Sequence, residues 1–227
     1  MIRENGKVTA PGRRNPRFGA IRPLTIFPLA GIMIVAALAI GARSALAAND
    51  PQQQVQDLVG KAVPILRDTG TPLPQRRKEL IDLLAGHFDF SDMARIALGY
   101  HWRDLSADQR SQFVQLFTAF IENAYMGKIQ DYKGQDIQVT GERTLQPGYS
   151  EVQSRIVQPN KQPIRLDYLL KQDSNGDWKV YDVTVDAISI IANYRNQFNR
   201  VINDQGFDKL MADMRTKQEQ LQESLGS

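Results

Sequence analysis

The chain has 227 residues, with 28 Lys and Arg against 25 Asp and Glu, and no cysteine. The missing cysteine excludes a disulfide scaffold, a thiol nucleophile and a cysteine-acylated lipoprotein. The basic excess belongs to residues 1–47, which hold seven of the basic residues and one acidic one, leaving 21 against 24 in the remainder, so charge gives no reason to invoke nucleic acid.

Arg3, Lys7, Arg13, Arg14, Arg17 and Arg22 precede an apolar run from Leu24 to Ile40, and Ala45-Leu46-Ala47 follows. A basic region, an apolar region and an A-x-A site read as a secretory signal peptide, cut after Ala47. The competing reading is an uncleaved anchor. The run is at the short end of the ~17–25 residues that span a bilayer, and Pro23 and Pro28 sit at its start. Arg13-Arg14 raises the twin-arginine route, but the Asn-Pro-Arg-Phe stretch that follows fits that signal poorly. Residues 48–215 then form one domain, and 216–227 a polar tail that frays.

Asn49-Asp50-Pro51 is a helix start. Val55, Leu58, Val59, Ala62 and Leu66 keep helical spacing up to Pro64, which predicts a bend or an end. A second helix is expected over about Gln75–Ala85, closed by Gly86, and a third from Asp89 to Gly99. Ser106-Ala-Asp-Gln109 is a capping box, and the helix it opens carries Phe113, Phe117 and Phe120. After Gly134 the period changes to two. Four strands are expected: about 136–142, 149–158, 163–172 and 178–186, with turns at Gln146-Pro-Gly148, Pro159-Asn160 and Asp173–Gly176. A long helix from about Ser189 is broken by Gly206, and a short helix ends near Met214. The order predicts an α+β fold, a helical layer packed on a twisted four-stranded antiparallel sheet.

Chemistry is sparse. His87 and His101 lie on different elements, and His87-Phe-Asp89 is a weak metal pair. No G-x-S-x-G or Gly-rich phosphate loop occurs. Asp182 and Asp186, with Tyr168 on the preceding strand, could form the acid–tyrosine set of a curved-sheet enzyme. The plainer reading is that these acids face water or pair with cations. Arg195 reads either as a clamp for an anionic head group or as an ion-pair partner of a sheet acid such as Asp182.

Several motifs recur in order: Phe88-Asp-Phe90, Ala97-Leu-Gly99 with Trp102, Leu105-Ser-Ala-Asp-Gln-Arg110, Asp167-Tyr168, Trp178-Lys-Val-Tyr-Asp182, Ser189-Ile-Ile191 and Asn193-Tyr-Arg-Asn-Gln-Phe198. Together they resemble the MlaC (toluene-tolerance) family over almost the whole region after residue 47. Ala187 departs from the glycine expected there. The resemblance implies a periplasmic carrier that uses no cofactor, whose cargo is a diacyl phospholipid held in an apolar pocket between helices and sheet. It implies two partners: an outer-membrane lipoprotein–porin complex, and the MCE-domain protein of an inner-membrane ABC transporter. The carrier would be a monomer; the alternative is a hopanoid-associated branch resembling this family, whose cargo would be a hopanoid or another lipid. In that picture Val139, Val152, Ile156, Ile164, Leu166, Tyr168, Val183 and Val185 form the sheet wall. Phe113, Phe117, Ile188, Ile191, Tyr194 and Phe198 form the helix wall, and Arg195 stands near the head group.

Overall fold

The computed structural model describes residues 50–126, 132, 134–158 and 161–226. The expected signal peptide, its cleavage site and the Pro159-Asn160 turn lie outside the described residues. Helix α1 (Pro51–Arg67) starts where Asp50 accepts hydrogen bonds from the Gln52 and Gln53 amides, at 2.9 and 3.3 Å. Pro64 does not end it. Both Pro64 and Gly60, whose carbonyl loses its partner, lie on the exposed side, where water replaces the missing amide. Helix α2 (Leu73–His87) runs through Gly86, because that glycine keeps helical dihedrals. It closes where Phe88 turns extended and bridges Val180.

Asp89 caps α3 (Phe90–Leu98) through the Asp92 amide at 2.8 Å, and Gly99 ends it at φ 58°. A 3₁₀ turn (Gly99–Asp104) leads to the capping box. There the Gln109 amide donates to Ser106 Oγ (3.2 Å) and the Ser106 amide to Gln109 Oε1 (2.9 Å), opening α4 (Ala107–Met126).

The sheet has five strands rather than four: β1 (Asp136–Gln146), β2 (Tyr149–Val157), β3 (Ile164–Gln172), β4 (Trp178–Val185) and β5 (Ile188–Ser189). Their order is sequential and every pairing is antiparallel. The extra strand exists because Asp186 and Ala187 both take positive φ, 47° and 65°, which makes a two-residue hairpin turn. Without that turn the chain would pass from β4 into the helix directly, as expected from sequence. Helix α5 (Ile190–Gln205) follows and stops at Gly206 (φ 87°). Helix α6 (Phe207–Gly226) continues well beyond Thr216, so it is not the short element expected.

The register sets the two faces of the sheet. Val152 pairs with Tyr168 and Tyr168 with Val183, a buried row under the helices. The opposite face carries Arg143 and Arg165 around Glu151 and Asp167, with contacts of 2.5 Å (Arg143–Glu151), 3.1 Å (Arg165–Glu151) and 2.5 Å (Arg165–Asp167). A register shift between Leu169 and Leu170 sets Asp182 opposite Leu169. This breaks the parity that Asp182 would otherwise share with Val180. Lys171 ties α3 to β3, reaching Asp89 at 3.0 Å and Asp92 at 2.6 Å.

Candidate functional site

A cavity of about 30 Å³ lies where α2, α3, α4, β4 and α5 converge. Leu84 comes from α2, Phe90 and Met93 from α3, and Ile121, Glu122 and Tyr125 from α4; Phe88, Val183 and Ile190 complete the wall, which is almost wholly apolar. The bridge of Phe88 to Val180 brings the α2–α3 junction onto the sheet and stacks the Phe88 and Phe90 rings at 5.8 Å. A water needs about 10–15 Å³ and small-ligand pockets hold about 300–1,000 Å³, so a large apolar ligand requires this wall to open. The Tyr125 and Tyr194 hydroxyls interact electrostatically in the interior, yet neither has a partner in hydrogen-bond geometry. Burial pushes the Tyr125 hydroxyl up to about 12 and raises that of Tyr194 as well.

Most of the expected wall residues belong to the buried core beside this cavity. Phe113, Phe117, Tyr194 and Phe198 are fully buried, and Phe198 meets two of the other rings edge to face, Phe117 with centroids at 6.3 Å and 83° and Phe113 at 5.9 Å and 88°. Ile191 joins them. Val152, Ile156, Ile164, Leu166 and Tyr168 are buried on the sheet, and Val139 and Val185 are half-buried. Ile188 does not face inward. It pairs with Val185 on the short edge strand and is 42% exposed. Of all these residues only Val183 lines the cavity. Phe88, Phe90, Met93 and Tyr125 were visible in the sequence as apolar residues, but no local signal marked them as lining.

The family profile described as MlaC protein matches residues 53–216, from α1 into α6. The chain belongs to the MlaC family. An intermembrane phospholipid transport system binding protein MlaC from Haemophilus influenzae is 30% identical over 120 residues, or 52% of this chain and 56% of that protein. The match therefore spans little more than half of that relative's length. Among solved structures, a phospholipid-binding protein from Ralstonia solanacearum, in complex with a phospholipid, is 26% identical. It superposes with a TM-score of 0.67 over 76% of this chain and 98% of its own.

Within this MlaC-family fold Asp182 of β4 and Asp186 of the turn after it have structural partners. Asp182, 8% exposed, accepts the Val183 amide at 2.8 Å, the Ile191 amide at 3.1 Å and the Ser189 hydroxyl. Ser189 in turn caps α5 through the Ala192 amide at 2.8 Å. Asp182 thus anchors the N-terminus of α5 to the sheet. Burial raises its carboxyl above the usual aspartate range, opposed by the Ser189, Ile191 and Val183 hydrogen bonds and by the charge of Arg195. Asp186 closes the β4–β5 turn: its Oδ1 accepts the Arg165 amide at 3.0 Å, and its own amide donates to the Arg165 carbonyl at 2.9 Å. Tyr168 is fully buried on β3, and burial raises its hydroxyl. None of the three lines the cavity.

Arg195 is exposed, and its stem packs over Gly99, with Cδ 3.3 Å from where a Cβ on that glycine would stand. It too is absent from the cavity wall. His87 Nδ1 lies 2.8 Å from the Leu83 carbonyl oxygen. Among the described residues no group of three or more His, Asp or Glu could hold a metal, and no helix is long and apolar enough to cross a membrane. Ala187, where the family resemblance led us to expect glycine, stands in the left-handed region that favours glycine.

Proposed function

We propose that this chain is a periplasmic phospholipid carrier, released from its signal peptide after Ala47 and active as a monomer. It takes diacyl phospholipid from one membrane component and gives it to another: an outer-membrane lipoprotein–porin complex and the MCE-domain protein of an inner-membrane ABC transporter. No covalent step and no cofactor is part of this reading. The observation that carries it is the almost wholly apolar cavity between helices and sheet, within the segment that matches the MlaC family. The structural relative in complex with a phospholipid supports the same reading.

Energetics explain the design. Each methylene taken out of water is worth about 0.8 kcal/mol, so acyl chains crossing an aqueous space demand cover. That cover must also open at a membrane partner. Helix α2 suits a moving wall, because only Leu80 and Leu84 are buried along its 15 residues, whereas α1 buries seven of 17. Separation of α2 from α4 would widen the cavity without breaking the aromatic cluster.

The test is mass spectrometry of lipid extracted from protein purified without detergent, alongside native mass spectrometry of the intact protein. Stoichiometric diacyl phospholipid is the expected result. A hopanoid would replace the phospholipid reading with another lipid cargo. A folded protein that neither retains nor takes up lipid would overturn the proposal.

A further inference from the structure

Among the described residues, Glu122 is the one in the cavity wall whose side chain carries a charge at neutral pH. The wall is almost wholly apolar, so Glu122 meets it through its methylene stem, and the carboxylate of this half-buried side chain is turned off the apolar surface. No hydrogen bond or ion pair compensates it among the described residues. Burial holds its carboxyl above the usual glutamate range, as expected for an uncompensated acid beside apolar side chains. The α2, α3, β4 and α5 residues that face it across the cavity carry no titratable group.

Acyl chains that enter an apolar cavity leave their polar head at its rim. We propose that Glu122 selects lipids by head group, favouring those that carry an ammonium over those that are only anionic. The inference rests on the carrier reading. The ammonium of an ethanolamine head would supply the missing counter-charge at the rim, whereas a glycerol phosphate head would bring a second negative charge.

The test uses the full purified protein, incubated with vesicles of equimolar dioleoyl phosphatidylethanolamine and dioleoyl phosphatidylglycerol. The protein is then re-isolated and its lipid quantified. The wild type is expected to enrich the ethanolamine lipid about three- to ten-fold over the vesicle ratio. Glu122→Gln, close in shape and uncharged, is expected to return the ratio to that of the vesicle, and Glu122→Lys to reverse it, each ratio being read on whatever lipid the variant loads. If the wild type loads lipid without preference, or Glu122→Gln keeps the wild-type preference, the inference falls while the carrier reading stands. If the wild type loads no lipid, the carrier reading falls first and the inference with it.

Discussion

Where α4 meets α5, Phe113, Phe117, Tyr194 and Phe198 are fully buried against one another. Where α4 meets α2 and α3, the same helix borders a cavity of about 30 Å³ behind a helix that buries two leucines. Both regions are apolar, so apolarity does not separate them. The difference lies in what covers them: interlocking aromatic rings on one side and, on the other, a helix with two buried residues. One side is a fixed core that positions α5 on the sheet, and the other is a thinly anchored wall.

The strongest way to break this comparison is to truncate the fixed side. Phe117→Ala should destabilise by about 3–5 kcal/mol in urea unfolding, since a fully buried ring leaves a hole that close-packed neighbours fill only in part. A loss under about 1 kcal/mol would mean the cluster is loose and the contrast is wrong. Asp182→Ala should cost about 2–3 kcal/mol, because it strips the start of α5 of a carboxyl acceptor and leaves the Ile191 amide unpaired. Asp182→Asn, which keeps an acceptor, should cost less.

Much of this fold is legible because its signals are local. Asp50-Pro51, the Ser106–Gln109 box, Gly99 and Gly206 each act on the residues beside them, and the alternation of β3 fixes its two faces. The misses have physical causes. Strand β5 depends on a left-handed Ala187, a conformation that alanine does not advertise. Helix α6 extends past Met214 on Lys, Gln and Glu, which are good helix formers without an apolar period. The role of Asp182 depends on an amide nine residues away. Cavity-lining residues look like core residues in sequence, and only the meeting of four helices with β4 and its bridge to Phe88 sets them apart.

Two smaller effects sharpen the contrast. Ala187→Gly should stabilise by about 1 kcal/mol, seen as a higher Tm, because glycine takes positive φ without the Cβ clash. Lipid loading should not change, since the turn belongs to the fixed side. Glu122→Gln should show a pH-dependent gain. The raised folded-state pKa of Glu122 means the folded protein binds more protons than the unfolded chain between the ordinary glutamate value and its own. Wild-type stability therefore falls as pH rises through that window. The variant should have the higher Tm at about pH 7 and match the wild type near pH 3, where both side chains are neutral. An equal difference at both values would mean that the charge is not its cause.

The most direct test of the account is to map where an acyl chain goes. Phospholipid bearing a photoreactive diazirine along one acyl chain would be loaded onto the protein and crosslinked, and the labelled peptides sequenced. The account predicts labels on the cavity wall, at Met93, Ile121, Tyr125 and Val183. Labels concentrated instead on Phe113, Phe117 and Phe198 would show that the aromatic cluster parts to admit lipid, contradicting the division between a fixed core and an opening wall.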